Sequence, residues 1–421
     1  MDLSHCDLLV FVEATDADGR AFTVTNRFAI DNPPLWWPNG AGEQKFYEYS
    51  IKVGSQTLAK KIGLRKVEVL NTPDKDESGK PGARMTFRVN GREMFMKGAN
   101  WIPCSAFENE QTPERYRDLL QSAADANMNM IRVWGGGQYE KDCFYELCDE
   151  YGFMVWQEFF MTGDTRHPND QSIYFNNVTS SVKRIRNHPS IIFYVSSNES
   201  TEVYGMPELL ERLDGTRPYQ MQSECDGIHD GSPYKTVNFM RHYENTASDR
   251  GSRVDGFNPE YGAATLPLIE SLRQMMKPED LWPFNQKVWD YMEGEGFYYI
   301  TSLHKEMADQ YGKCKDIEDF AFKSQVLGAM MSKSIYEVWN QNKFNFGDRY
   351  CSGYLFWYHN CPIPQTDSRM WDWYLEPTAS LYHAMHCLEP VHVQFDYLKN
   401  TVSVINDYYT NYKGYKVVAD V

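Results

Sequence analysis

The sequence predicts a chain of three parts: an immunoglobulin-like β-sandwich over residues 1–72, an (α/β)8 TIM barrel over 73–389, and the start of a second β-sandwich over 390–421. Three observations predict it. Short alternating apolar segments separated by turn residues fill residues 1–72. From Met85 onward strand-like runs and helical stripes take turns, the cadence of a parallel sheet with crossover helices. After Pro390 the two-residue alternation returns in Val391, Val393 and Phe395, then in Val402 and Val404.

In the first part, residues 8–12 (LLVFV) read as a core strand, 16–19 as a turn and 21–30 as an alternating strand. Residues 32–40 carry Pro and Gly and are irregular, while 46–53 and 62–70 alternate again. Residues 71–82 read as a linker or an exposed hairpin loop. Strands over 86–89 and 93–97 flank Asn90-Gly91, the signal of a type I′ hairpin. Thr112 followed by Pro113 opens a helix, and Tyr116, Leu119, Leu120, Ala123 and Ala124 give it one apolar face. Residues 128–134 form the next strand. A second helix, marked by Phe144, Leu147, Cys148 and Tyr151, ends at Gly152. A strand over 153–160 and a third helix lined by Phe175, Val178, Val182 and Ile185 follow.

The segment Ser190-Ile191-Ile192-Phe193-Tyr194-Val195-Ser196-Ser197-Asn198-Glu199 is an unbroken apolar run ending in an amide and a carboxylate. Such a run suits a parallel strand buried on both faces. A carboxylate at its carboxyl end stands where barrels place their chemistry. By itself Glu199 could equally open a helix near Tyr204. Residues 218–223, 256–260 and 353–358 supply further strands, and no strand can be assigned between Glu224 and Arg253. Eight repeats in roughly 300 residues suit a barrel better than an open sheet.

Composition narrows the function classes. A net charge of −16 over 421 residues argues against a nucleic-acid partner, which needs clustered Lys and Arg. No apolar run reaches transmembrane length. Nine cysteines at irregular spacing, with no Cys-x-x-Cys, argue against a disulfide framework or a zinc site. Gly135-Gly136-Gly137 lacks the context of a phosphate loop and reads as a tight turn. His383 and His386 share a predicted helix, where packing outweighs a metal role. No cofactor is implied. The absence of a signal peptide says nothing about export, because residue 1 falls inside a predicted domain.

If the barrel forms, its strand ends are Asn100-Trp101, Arg132-Val133-Trp134, Gln157-Glu158, Asn198-Glu199, Glu260 and Trp357. Two carboxylates across one cleft can serve as acid/base and nucleophile, the requirement of glycoside hydrolysis. Indole faces stack on sugar rings, and Arg and Asn bond hydroxyls. Glu260, after Pro259 and before Gly262, suits a kinked strand end rather than a solvated turn.

With those residues in place the chain resembles glycoside hydrolase family 2, on its β-mannosidase, exo-β-glucosaminidase and mannosylglycoprotein endo-β-mannosidase side. The matching segments are Trp36-Trp37-Pro38-Asn39-Gly40, Lys97-Gly98-Ala99-Asn100-Trp101-Ile102-Pro103, NMNMIRVWGGG over 127–137 and Val155-Trp156-Gln157-Glu158-Phe159. Arg186-Asn187-His188-Pro189-Ser190, Asn198-Glu199 and residues 256–267 complete the set, in family order. The resemblance implies a retaining β-glycosidase with Glu199 as general acid/base and Glu260 as nucleophile. It implies substrate-binding roles for Trp101, Arg132, Trp134, Glu158, Asn198 and Trp357, a carbohydrate partner and no metal. Asp164 and the Phe257-Asn258-Pro259-Glu260 sequence look closest to the endo-β-mannosidase branch.

The chain departs from the family pattern at two places. Tyr194-Val195-Ser196-Ser197 stands before Asn198-Glu199 where Trp-x-Gly-Gly is usual, and His359-Asn360-Cys361-Pro362 follows Trp357-Tyr358. A β-galactosidase or β-glucuronidase specificity, or a carbohydrate-binding protein without turnover, are the alternatives. Relatives close the sugar site with a leading jelly-roll domain, whereas this chain begins inside a later sandwich. The cleft around Trp101 and Trp134 is therefore expected to stand open on one side. The sequence sets neither localisation nor oligomeric state; a periplasmic or extracellular place is expected if the parent chain is a bacterial glycan-degrading enzyme.

Overall fold

The computed structural model describes residues 3–16, 18–75, 81–163, 167–225, 236–245, 256–262, 265–293, 299–345 and 350–418. Two antiparallel hairpins come first, β1 (His5–Thr15) with β2 (Ala21–Asp31), and β3 (Tyr47–Val53) with β4 (Gln56–Ile62). A three-stranded sheet of β5 (Val67–Lys75), β6 (Pro81–Val89) and β7 (Arg92–Met94) follows. Asn90 and Gly91 both take positive φ between β6 and β7, as a two-residue primed turn requires.

Seven parallel strands then build one sheet: β8 (Met96–Trp101), β9 (Met130–Val133), β10 (Met154–Glu158), β11 (Ile191–Val195), β12 (Tyr219–Gln220), β13 (Gly256–Tyr261) and β14 (Cys351–Phe356). Their spatial order is β12-β11-β10-β9-β8-β14-β13. No eighth parallel strand is found among the described residues, and in the β12–β13 interval residues 226–235 and 246–255 lie outside the described set. Around the sheet lie α1 (Pro113–Asp125), α2 (Asp142–Tyr151), α3 (Gln171–Ile185), α4 (Met206–Leu213), α5 (Met240–Tyr243), α6 (Ile269–Met275), α7 (Pro278–Leu281), α8 (Gln286–Glu293), α9 (Tyr299–Tyr311), α10 (Ile317–Gln341) and α11 (Ala379–Cys387). The Thr112 hydroxyl caps α1 by accepting from the Arg115 amide, and Gly152 ends α2 in the left-handed region.

Side chains alternate across a strand, so the barrel strands sort their residues between two cores. Met96, Met130 and Met154 turn inward at the floor, with Trp156, Phe193, Phe257 and Leu355 in the same cluster. Phe87 of β6 plugs that floor, its ring 5.4 Å from Phe193 and 5.7 Å from Phe257. The next inward positions on β8, β9 and β10 are Asn100, Arg132 and Glu158, all buried. Ala99, Ile131, Val133 and Val155 face the other way and join the helices in a larger core.

Residues 36–44 lock onto the ends of two helices. The Trp36 indole, fully buried, donates to the Asp149 carbonyl of α2 at 2.9 Å. Asn39 donates through Nδ2 to the carbonyls of Ala124 and Met128 beyond α1, and through its amide to Gly152 at 2.8 Å. Carbonyls orphaned at helix C-termini are thus satisfied from a distant loop.

Residues 8–12, expected as a core strand, are not core: Leu9 is 51% and Phe11 59% exposed. No second layer covers them among the described residues. The strands expected to make a sandwich there form two hairpins and the edge of a three-stranded sheet. The stretch read as a linker over 71–82 contains the end of β5 and the start of β6. At the other end β15 (Val391–Asp396) and β16 (Thr401–Asn406) pair as a hairpin. Its polar face, with His392, Gln394 and Asp396, is buried beside α10, while Val393, Phe395 and Val404 stay exposed.

Candidate active site

The charged layer above the apolar floor is organised by Arg132. Its guanidinium donates to Glu158 Oε1 from Nε at 2.8 Å, to Asn100 Oδ1 at 2.7 Å, to Glu260 Oε1 at 2.5 Å and to Asn198 Oδ1 at 2.6 Å. Arg132 and Glu158 are fully buried and Glu260 is 6% exposed. Burial works to lower the pKa of Arg132, but the Glu158 and Glu260 carboxylates outweigh it and hold the guanidinium charged. Beneath it lies the Trp156 ring, 5.7 Å from the guanidinium carbon.

Each partner is held in turn. Asn100 donates to the Pro259 carbonyl at 2.9 Å, tying β8 to the residue before Glu260. Asn258 Oδ1 accepts from the Glu260 amide at 3.0 Å. The Asn198 amide donates to the Met161 carbonyl, and its side chain to Thr162 Oγ1 at 3.1 Å. Glu158 Oε2 accepts from the Gly135 amide at 2.7 Å, and Oε1 from the Trp156 indole at 3.1 Å.

Glu199 follows β11 with φ of +48°, in the left-handed region that non-glycine residues rarely adopt. Its amide donates to Ser223 Oγ at 3.1 Å, and the residue is exposed. It caps no helix, since α4 starts from Gly205. Trp134 and Trp357 meet edge to face with centroids 5.2 Å apart. A Cβ on Gly136 would stand 2.0 Å from the Trp134 ring, so only glycine there lets the indole fold back over the chain.

The structure therefore gathers Arg132, Glu158, Asn198 and Glu260, and pairs Trp134 with Trp357. Trp101, expected as a wall of the cleft, lies elsewhere. It is 1% exposed, 4.9 Å from Phe144 and 5.9 Å from Tyr116, in the layer between sheet and helices. The reason is strand parity: Asn100 points inward, so its neighbour must point outward. Glu158, expected to touch substrate, has both oxygens occupied inside the protein. Asp164 lies outside the described residues. The side chains of Asn100, Trp156, Thr162 and Ser223 complete the network without having been assigned roles from the sequence. Alternation along β8 and β10 would have found the first two.

Beyond Trp101 the Tyr116 hydroxyl donates to Glu140, whose carboxyl burial pushes up to about 7 from 4.5. A carboxyl raised in the folded state contributes stability that is full below 4.5 and lost as pH rises through 7. At about 1.4 kcal/mol per pH unit the loss is about 3 kcal/mol. Glu140→Gln should remove that part of the pH dependence. Denaturant titrations of parent and variant from pH 4.5 to 8 check it, and parallel curves would refute it.

Glu337, Cys387 and His392 bring ligand-type atoms within 4.8 Å of one another. The Lys333 ammonium stands 2.7 Å from Glu337, and the Tyr243 hydroxyl donates to it at 2.8 Å, so the carboxylate charge is already met. His383 and His386 lie on α11 and are not members of that group. No helix among the described residues is long and apolar enough to cross a membrane.

A parallel barrel sheet carrying carboxylates, an arginine and amides at its strand ends, beside paired indoles, defines the class of β/α-barrel proteins with a polar site at the carboxyl face. Residues 84–320, more than half of the chain, match the model of the glycosyl hydrolases family 2 TIM barrel domain, and the chain belongs to that family. It is 29% identical over 439 residues to β-mannosidase B of Aspergillus niger, covering 92% of this chain and 50% of that protein. It is 28% identical to a mannosylglycoprotein endo-β-mannosidase of Lilium longiflorum, over 89% of this chain and 44% of the relative. The β-D-mannosidase structure from Dictyoglomus thermophilum superposes with a TM-score of 0.78 at 26% identity, over 92% of this chain and 50% of that one. The chain thus spans about half the length of the relatives it matches.

Proposed function

We propose that this chain carries the catalytic barrel of a retaining β-glycoside hydrolase acting on β-mannoside or β-glucosaminide linkages, with Glu260 as nucleophile and Glu199 as general acid/base. One observation supports this reading above others. The buried Arg132 joins Glu260 at 2.5 Å to Asn198 at 2.6 Å, the residue before Glu199. One cation thereby ties Glu260 to the residue that precedes Glu199. The names of the β-mannosidase relatives favour a mannoside. The domain division at residues 72 and 389 is proposed with it.

In the first step a Glu260 oxygen attacks the anomeric carbon. The bond to the leaving oxygen breaks, and that oxygen takes the electron pair together with the Glu199 proton. In the second, Glu199 removes a proton from water, which displaces Glu260 and restores both carboxyls. The configuration is retained. Trp134 and Trp357 offer flat apolar faces to the sugar, and Asn198 an amide to a hydroxyl.

Replacing Glu199 by Ala should reduce turnover of alkyl β-mannosides by roughly 10²–10⁴-fold, the worth of general acid catalysis. Aryl substrates with good leaving groups should lose far less in the glycosylation step, since they depart without a proton. Azide should then restore turnover by attacking the glycosyl-enzyme. Kinetics with a leaving-group series checks this, and equal losses across the series would remove Glu199 from the acid role. Proton NMR of the first-formed sugar tests retention separately.

A further inference from the structure

We infer that Glu158 is a positioning residue that keeps Arg132 paired while Glu260 is consumed as a glycosyl ester. This rests on the reading of Glu260 as nucleophile.

The argument begins with charge. The buried layer holds one guanidinium, Arg132, and two carboxylates, Glu158 and Glu260. The amides of Asn100 and Asn198 complete its hydrogen bonds and carry no charge. Glu199 directly follows Asn198 of this layer and is exposed. When Glu260 attacks the anomeric carbon, its carboxylate becomes a neutral ester; the aglycone oxygen leaves as an alcohol with the Glu199 proton, so the negative charge ends on Glu199, outside the layer. Without a second anion Arg132 would then be an isolated cation in a fully buried site. A buried charge stripped of its partner is strongly destabilising.

Glu158 is built for that second role and for no other. It is fully buried, so no substrate atom reaches it. Both oxygens accept only from N–H donors: Arg132 and the Trp156 indole on Oε1, the Gly135 amide on Oε2. Burial raises its carboxyl above the usual carboxylate range, and the charge and hydrogen bond of Arg132 with the Gly135 amide pull back toward the ionised form. The donors come from the body and the end of adjacent strands, so the carboxylate stays in place when Glu260 changes. A Cβ on Gly135 would lie 3.2 Å from Glu158 Oε2, which shows how closely the backbone approaches.

In the free enzyme the second carboxylate has a different effect. It shares the cation with Glu260, so Glu260 is neutralised only in part and keeps its strength as a nucleophile. Removing Glu158 should therefore act on both sides of the step. Glu260 gains the whole of Arg132 before attack, and Arg132 loses its partner after it.

The test is Glu158→Gln, which keeps the shape and removes the charge. Pre-steady-state glycosylation of an aryl β-mannoside should slow by roughly 10²–10³-fold. The acid limb of kcat/KM, which reports ionisation of the nucleophile, should move to lower pH by about one unit or more. A structural role would lower activity without moving the limb, and a substrate contact would raise KM alone; either result overturns the inference. Should the variant fail to fold, Glu158→Asp carries the test, because it keeps the charge but withdraws it from Arg132. Its limb should shift part of the way, and an unmoved limb at parental rate overturns the proposal. A 2-fluoro-glycoside that labels Glu260 in the parent separates the two readings. Labelling elsewhere, or none, sinks the nucleophile assignment, whereas labelling of Glu260 with an unmoved limb sinks only the role of Glu158.

Discussion

Glu260→Ala is expected to lose hydrolysis of aryl β-mannosides by roughly 10⁴-fold or more while keeping a cooperative fold. The loss is large because no other described carboxylate can replace it. Glu158 is sealed within the layer, and Glu199, exposed, is assigned the proton donor in the proposed mechanism. The fold survives because Arg132 keeps Glu158, Asn100 and Asn198 as partners. Azide should enter the space left by the carboxylate and give a glycosyl azide of inverted configuration. Rates with and without azide, product configuration by NMR and a thermal melt check the set. Residual activity within tenfold of the parent would end the nucleophile assignment.

The second large effect belongs to Arg132→Met. This change leaves two carboxylates and two amide oxygens facing a buried thioether. Breaking a buried ion pair from one side costs about 3–5 kcal/mol. At roughly 2–4 °C per kcal/mol for a domain of moderate size, the melting temperature should fall by about 6–20 °C. Activity should fall with it, because the two carboxylates then share a proton. The double variant Arg132→Met, Glu158→Gln should recover part of the stability, since the residues act as one unit and their effects do not add. A melting temperature within two degrees of the parent would show that the network is not a stability element.

Much of this architecture was legible in the chain, and the reasons are local. The periodicities of α1 and α2, the Thr112 cap, the Gly152 stop and the Asn90-Gly91 turn are short-range chemistry, and each stands where the sequence puts it. The β11 run needed only its unbroken apolarity. What escaped needed a third dimension. Trp101 was placed at the mouth because it ends a strand, yet parity with Asn100 sends it outward. Glu158 looked like a ligand for substrate because nothing in the sequence says that Trp156 and Gly135 occupy its oxygens. Leu9 and Phe11 looked like core because an alternating strand does not reveal whether a second layer lies over it. For Arg132 the resemblance implied a substrate-binding role. Its simultaneous hold on Asn100, Glu158, Asn198 and Glu260 depends on β8, β9, β10, β11 and β13, which only the sheet brings together.

The loop that locks onto α1 and α2 also sets a timetable for synthesis. Trp36 and the Asp149 carbonyl that receives its indole are separated by 113 positions along the chain. At roughly 5–20 residues per second, the ribosome delivers the second partner about 6–20 seconds after the first. During that interval a large indole destined for complete burial has no cavity to enter. The nascent chain therefore carries Trp36 in the open until the second helix has emerged, and a chaperone that reads exposed aromatic segments has its window there. Pausing translation before codon 149 should lengthen that exposure, and pausing after codon 152 should not.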